Sequence, residues 1–149
     1  MGRRRRGRSQ KDGTYVELLL TDDQRTIRQS IRELCADFPL SYWAGLERDG
    51  AYPTAFVDTM MKLGWLSVLI PAEHGGGGLG LVEASLILEE IHRSGGNANA
   101  CHAQLYTMGT ILRHGSAEQK QRYLPDIAAG TLRLQAFAIT EADTGSDTP

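Results

Sequence analysis

Five of the chain's 17 glycines fall within six residues: Gly75, Gly76, Gly77, Gly78 and Gly80, interrupted only by Leu79. The run satisfies G-x-G-x-x-G, the spacing at which backbone amides and a helix N-terminus can cradle a pyrophosphate. That chemistry would make the chain a nicotinamide dinucleotide binder through residues 75–80. The motif, however, needs a strand–helix–strand unit with an acid about 20 residues further on. Here Pro71, Glu73 and His74 stand between the preceding apolar run and the glycines, and Ser94-Gly95-Gly96-Asn97 leads from one helical pattern into another. The plainer expectation is a glycine-rich turn that lets two helices pack closely.

Metal and thiol chemistry find less support. His74, His92, His102 and His114 are scattered, and only Cys101 and His102 are neighbours. Adjacent residues on a helix point in different directions, whereas a metal site needs converging ligands. No metal site is expected. Nothing marks the chain as secreted, so Cys35 and Cys101 read as free thiols of a reducing compartment, packed as small hydrophobes.

The elements that would position these residues are mostly helical. Thr21-Asp22-Asp23-Gln24 has capping-box spacing and opens a first helix. Ile27, Ile31 and Leu34 form its apolar stripe, Arg28, Arg32 and Glu33 its wet side, and Pro39 ends it. A second helix starts near Pro53, a residue suited to a first turn. Phe56, Val57, Met60, Met61 and Leu63 supply its buried side, and Gly64 closes it. Residues 65–70 read as a short extended segment stopped by Pro71. A third helix is expected over residues 81–92. A fourth covers residues 97–113, with Ala100, Ala103, Tyr106, Thr107 and Thr110 at close-packing positions. Ser116-Ala117-Glu118-Gln119 is a second capping box, opening a short helix through Tyr123, with a last turn from Pro125 to Gly130.

From Thr131 the period changes to two: Leu132, Leu134, Ala136 and Ala138 alternate with Arg133, Gln135, Phe137 and Ile139. That predicts a strand. The fold class is therefore mainly α, about five helices followed by a lone β-strand. A single strand has no ladder partner for its backbone groups, so the rest of a β domain is expected elsewhere. Three regions follow: a basic tail over residues 1–17, a helical domain over 18–130, and the start of a middle β domain over 131–149.

The formal net charge of -2 conceals an uneven distribution. Arg3, Arg4, Arg5, Arg6, Arg8 and Lys11 lie in the first eleven residues; without them, ten bases face 18 acids. The body is acidic, whereas a nucleic-acid binder carries positive charge on a folded face. No nucleic-acid partner is expected. The tail reads as a solvated, disordered start, with an address signal or nucleic-acid arm as alternatives. Only Leu18-Leu19-Leu20 follows it, too short for the apolar stretch of a signal peptide. No run approaches the roughly 20 apolar residues of a membrane span. A cytoplasmic location is expected.

Two segments together resemble the acyl-CoA dehydrogenase family. The first runs from Gly64-Trp65-Leu66 through Ile70-Pro71-Ala72-Glu73-His74-Gly75-Gly76 to Gly78-Leu79-Gly80. The second, Phe137-Ala138-Ile139-Thr140-Glu141-Ala142-Asp143-Thr144-Gly145-Ser146-Asp147, is similar to the family's flavin-binding segment. His114-Gly115-Ser116-Ala117-Glu118-Gln119-Lys120 and Tyr123-Leu124-Pro125 match between them. One departure is Ala142, where the family usually has proline; a less rigid turn is expected there.

The resemblance implies a helical N-terminal domain, a middle β domain and a C-terminal helical bundle, with FAD between the last two. It implies α,β-dehydrogenation of an acyl-CoA thioester: a proton leaves the alpha carbon and a hydride passes from the beta carbon to the flavin. By the same resemblance Phe137, Ala138, Ile139 and Thr140 would line the flavin ring, through backbone amides and the Thr140 hydroxyl. Acceptors on a flavin edge gain charge on reduction, which suits such donors. Gly145 would let the backbone approach phosphate, and Ser146 would contact flavin phosphate or the acyl-CoA. Ala98, Asn99 and His102 would either line the acyl pocket or pack in the core. The family's base is a glutamate, commonly of the C-terminal domain, so no catalytic residue is assigned here, and Glu141 is not that base. An electron-transfer flavoprotein or similar acceptor and a homo-oligomeric full-length form are also implied. A non-catalytic helical interaction or dimerisation module is the alternative that keeps the fold without the chemistry.

Overall fold

The computed structural model describes residues 19–136 together with Ala138 and Ala142. The basic tail lies outside the described residues. Six α-helices follow in order: α1 (Asp22–Ala36), α2 (Leu40–Asp49), α3 (Thr54–Lys62), α4 (Leu81–Arg93), α5 (Asn99–His114) and α6 (Ala117–Ala128), with one 3-10 turn at Ala72–His74. The mainly α class is as expected.

α1 begins where its cap predicts. The Thr21 hydroxyl accepts the Gln24 N–H at 3.2 Å, and Gln24 Oε1 accepts the Thr21 N–H at 3.1 Å. Ile27, Ile31, Leu34 and Cys35 turn inward and pack along α4, which offers Ala84, Ile87 and Ile91. Ile31, Phe56, Ile70, Ile87 and Ile91 are fully enclosed; burying each such side chain contributes about 1.5–3 kcal/mol.

Arg28 departs from expectation. Its place in the α1 pattern predicts the wet face, yet it is only 4% exposed. Its Nε donates to Glu90 Oε2 at 3.1 Å, while Arg32 Nε donates to Glu90 Oε1 at 2.9 Å. The acid that draws it in lies 62 residues away, beyond the reach of local periodicity. Burial pushes the Glu90 carboxyl up, but the hydrogen bonds and charges of Arg32 and Arg28 prevail and hold it below the ordinary range.

α2 was not foreseen. Pro39 ends α1's neighbourhood but also serves as the N-cap of α2, with φ -67°. α2 stops at Gly50, whose φ of +57° is left-handed. It has no fully buried residue. It is held by an aromatic cluster instead: Phe38, Tyr42, Trp43 and Phe56 meet edge-to-face with centroids 4.9–5.2 Å apart.

Three further expectations are corrected. Residues 65–70 are consecutive turns rather than an extended piece: Trp65 N–H donates to the Met60 carbonyl, Ser67 to Gly64 and Ile70 to Ser67. Leu66, Val68 and Ile70 are all buried, and an apolar run enclosed on every side shows no period by which to distinguish strand from turn. Leu63, expected inside, is 57% exposed. α6 does not stop at Tyr123 but continues through Pro125 to Ala128. The proline leaves the Gln121 carbonyl without its helical donor, but Gln121 and Pro125 are both exposed, so water can satisfy it. Leu124 and Ile127, buried on either side of the proline, hold the helix to the core.

The lone strand is absent among the described residues. Residues 132–136 belong to no regular element. A strand without a neighbour cannot form a ladder, and these residues spend their hydrogen bonds on the helices instead.

Candidate functional site

The glycine loop is a closed knot of backbone. The Gly75 N–H donates to the Ala72 carbonyl, Gly76 to Pro71, Gly77 to Ser67, Gly78 to Ile70 and Leu79 to Val68, at 2.7–3.2 Å. The Gly80 N–H donates to Glu83 Oε2 at 2.9 Å. No amide from 75 to 80 is left for a pyrophosphate. The α4 N-terminus is already answered by the Glu83 carboxylate, which a hydrogen bond from Gln24 holds below its ordinary pKa. The dinucleotide reading therefore fails. The glycines serve packing: a Cβ at Gly76 would lie 2.2 Å from the Ile70 carbonyl oxygen, and Gly75 and Gly78 have φ of +85° and +62°.

A cleft of about 990 Å³ opens on the other side, between α2, the loop to α3, the α4–α5 loop and the first turns of α5. Trp43, Ala44, Gly95, Gly96, Ala100 and Ala103 line much of it, with Tyr52, Asn99 and Gln135 at its polar positions. Small residues make the space and the indole supplies an apolar wall. Of the three residues considered for an acyl pocket, Asn99 lines this cleft. Ala98 is fully buried in the core. His102 is exposed and stacks edge-on against Tyr106 at 5.0 Å. Trp43 and Tyr52 were missed. The signal for Trp43 was the Tyr42-Trp43 pair between Pro39 and Gly50, which belongs to the unforeseen α2; Tyr52, in the loop that follows, had no comparable signal.

Residues 131–135 run from the end of α6 to this cleft and are tied down at each step. The Asp126 carbonyl accepts the Thr131 N–H, the Leu132 N–H and the Thr131 hydroxyl, at 3.0–3.1 Å. Arg133 pairs with Asp58 of α3. The Leu134 N–H donates to Gln104 Oε1 of α5 at 2.9 Å, and Gln135 Nε2 donates to the Tyr52 hydroxyl at 2.5 Å. Ala138, next but two, is exposed. Phe137, Ile139, Thr140, Gly145 and Ser146 lie outside the described residues.

The cysteines offer no reactive centre. Both are buried free thiols. Burial pushes the Cys101 thiol up to about 12 and raises Cys35 as well, so neither ionises near neutrality. Among the described residues no three His, Cys, Asp or Glu side chains converge on one point, and no helix is long and apolar enough to cross a membrane.

Comparison with known proteins gives this arrangement its context. Residues 21–131 match the model of the acyl-CoA dehydrogenase N-terminal domain. Acyl-CoA dehydrogenase FadE12 of Mycobacterium tuberculosis is 34% identical over 137 residues, covering 91% of this chain and 34% of its own length. An acyl-CoA dehydrogenase from Bacillus anthracis solved with FAD superposes with a TM-score of 0.68 at 30% identity, over 87% of this chain and 22% of that one. A glutaryl-coenzyme A dehydrogenase bound to glutaryl-CoA gives a TM-score of 0.69 at 29% identity, over 86% and 33%. The chain spans about a third of the length of the FadE12 relative. The family match over 21–131 and the superpositions agree, and the chain belongs to the acyl-CoA dehydrogenase family, whose N-terminal helical domain it carries.

Proposed function

We propose that this chain is the N-terminal part of a flavin-dependent acyl-CoA dehydrogenase that oxidises the alpha–beta bond of an acyl-CoA thioester. The observation that carries the reading is the cleft beside α5, lined by Trp43, Ala44, Gly95, Gly96, Ala100 and Ala103. Its small and aromatic surfaces suit an acyl chain, and its wall at Gln135 leads directly into the flavin-like segment. The relatives solved with FAD and with glutaryl-CoA support the cofactor and the substrate class.

Ala138 is exposed, which is compatible with a ligand-facing role. In this proposal Phe137, Ala138, Ile139 and Thr140 hold FAD along its ring, and Gly145 and Ser146 hold its phosphate. Ser146 also meets the acyl-CoA. Bound FAD supplies the hydride acceptor. The helical body contributes one wall of the acyl site and excludes water from it. The proton-abstracting glutamate is assigned to a C-terminal domain, reduced flavin passes electrons to an electron-transfer flavoprotein or similar acceptor, and the full-length form assembles as a homo-oligomer in the cytoplasm.

Two measurements test this. Quenching of flavin fluorescence when FAD is titrated into the purified chain would argue against a bare helical interaction module. Dye-coupled turnover of acyl-CoA by the 149-residue chain is expected to be absent; measurable turnover would overturn the assignment of the base to another domain.

A further inference from the structure

Gln104 of α5 is 1% exposed, and the two ends of its amide are treated differently. Oε1 accepts the Leu134 main-chain N–H at 2.9 Å. Nε2 is buried and has no hydrogen-bond partner. The orientation is dictated by the partner, because turning the amide over would set a donor against the Leu134 N–H. A buried amide with half its capacity unused is a poorer core residue than leucine or methionine. Stability alone therefore does not account for a glutamine here; what it accomplishes is a hold on one backbone group 30 residues away.

That hold sits at a junction. Arg133, on one side of Leu134, pairs with α3, and Gln135, on the other, reaches Tyr52 across the acyl cleft. Three successive residues are gripped from three separate parts of the helical body. The grips on Arg133 and Gln135 are side chain to side chain and part-exposed, so they tolerate sliding. The grip on Leu134 fixes the main chain itself and is part-buried, on a side chain that is 1% exposed, where a hydrogen bond is stronger than on the open surface.

We propose that Gln104 is a positioning residue: its Oε1 sets the register in which the chain leaves the helical body, and so places the flavin-binding segment relative to the acyl cleft. It acts through Leu134 and touches neither flavin nor substrate. The flavin consequence rests on the proposed function; the clamp itself does not.

Amide hydrogen exchange on the 149-residue chain tests the clamp directly. The Leu134 amide should exchange at least about tenfold more slowly than that of exposed Ala136. Gln104→Met keeps the volume but removes the acceptor. It should abolish that difference while Ile31 and Ile87 stay protected, and Gln104→Glu, which retains an acceptor, should restore it. Should Gln104→Met also cost Ile31 its protection, Gln104→Asn, one methylene too short to reach, gives the same readout with less disturbance. In parallel, FAD affinity should fall about tenfold in the acceptor-less variant and recover with Gln104→Glu, the change expected for about 1.4 kcal/mol. A Leu134 amide that exchanges freely in the parent chain, or stays protected without the acceptor, overturns the clamp. Equal FAD affinity in parent and Gln104→Met overturns the positioning role. If neither the parent nor any variant binds FAD, the positioning role is overturned for this chain, and the clamp stands or falls on exchange alone.

Discussion

α4 and α5 are neighbouring helices that each bury one long polar side chain, and they do so in opposite ways. On α4, Glu90 has both carboxylate oxygens paired, one with Arg28 and one with Arg32. On α5, Gln104 leaves Nε2 without a partner, and one turn further Thr107 leaves a buried hydroxyl in the same state. The α1–α4 interface is a finished interior, with every strong polar group answered inside the helical domain except one Arg28 amine, which lies 3.7 Å from Glu89. The α5 face is mostly apolar but leaves two polar atoms, Gln104 Nε2 and Thr107 Oγ1, unanswered. Buried polar groups are ordinarily paired, so the contrast sets the two helices apart in what substitution should cost.

The contrast can be attacked most forcefully at Arg28. Arg28→Met should lower unfolding free energy by about 1.5–3 kcal/mol, because the buried Glu90 carboxylate loses one of its two charge-assisted hydrogen bonds and keeps that of Arg32. Urea denaturation reads this, and a loss under about 1 kcal/mol would mean that the α1–α4 interface does not depend on its ion pairs. Gly76→Ala, at the loop that seats α4, should cost about 1–3 kcal/mol through its collision with the Ile70 carbonyl. Neither the variant nor the parent should bind NADH by calorimetry; binding that the alanine abolishes would restore the dinucleotide reading.

Acid should narrow the first of these differences. The Glu90 pKa is lowered in the folded chain, so its stabilisation is present above the unfolded glutamate value of about 4.3 and is lost as pH falls through the folded value. The gap between parent and Arg28→Met should therefore shrink as pH drops below about 4. A gap constant down to acid unfolding would show that Glu90 is not the titrating group. The smallest effect is expected at Thr107→Val, which removes an unanswered hydroxyl at nearly constant shape. Within the 149-residue chain it should lie within about 0.5 kcal/mol of the parent or slightly above it. A loss of more than about 1 kcal/mol would mean that the hydroxyl is already engaged, and the contrast between the two helices would weaken.

Much of the helical frame was legible because its signals are local. The capping boxes at Thr21-Gln24 and Ser116-Gln119 formed as spaced, and α4 began directly after the glycines. Misreadings arose where a distant partner decides the outcome. Arg28 is buried because Glu90 waits for it. α2 exists because Phe56, from the following helix, completes its aromatic cluster. Pro125 sits inside α6 because Leu124 and Ile127 anchor both sides of it. In the candidate site, Asn99 was legible on the cleft, whereas Gln104 was not, since a glutamine in a helix carries no mark of what its oxygen will meet. The flavin residues Phe137, Ile139, Thr140, Gly145 and Ser146 remain readings from resemblance.

The triple acceptance by the Asp126 carbonyl bears on how such a protein could be taken apart. A cut drawn at Gly130, where helical periodicity ends, would strip away Leu132 and Leu134, which pack on the core. It would leave Gln104 with no acceptor role to fill, and Asp58 and Tyr52 without their counterparts. A cut after Gln135 keeps all of these contacts. Anyone expressing the helical part by itself should place the last codon beyond Gln135, and the shorter piece should melt earlier and more broadly.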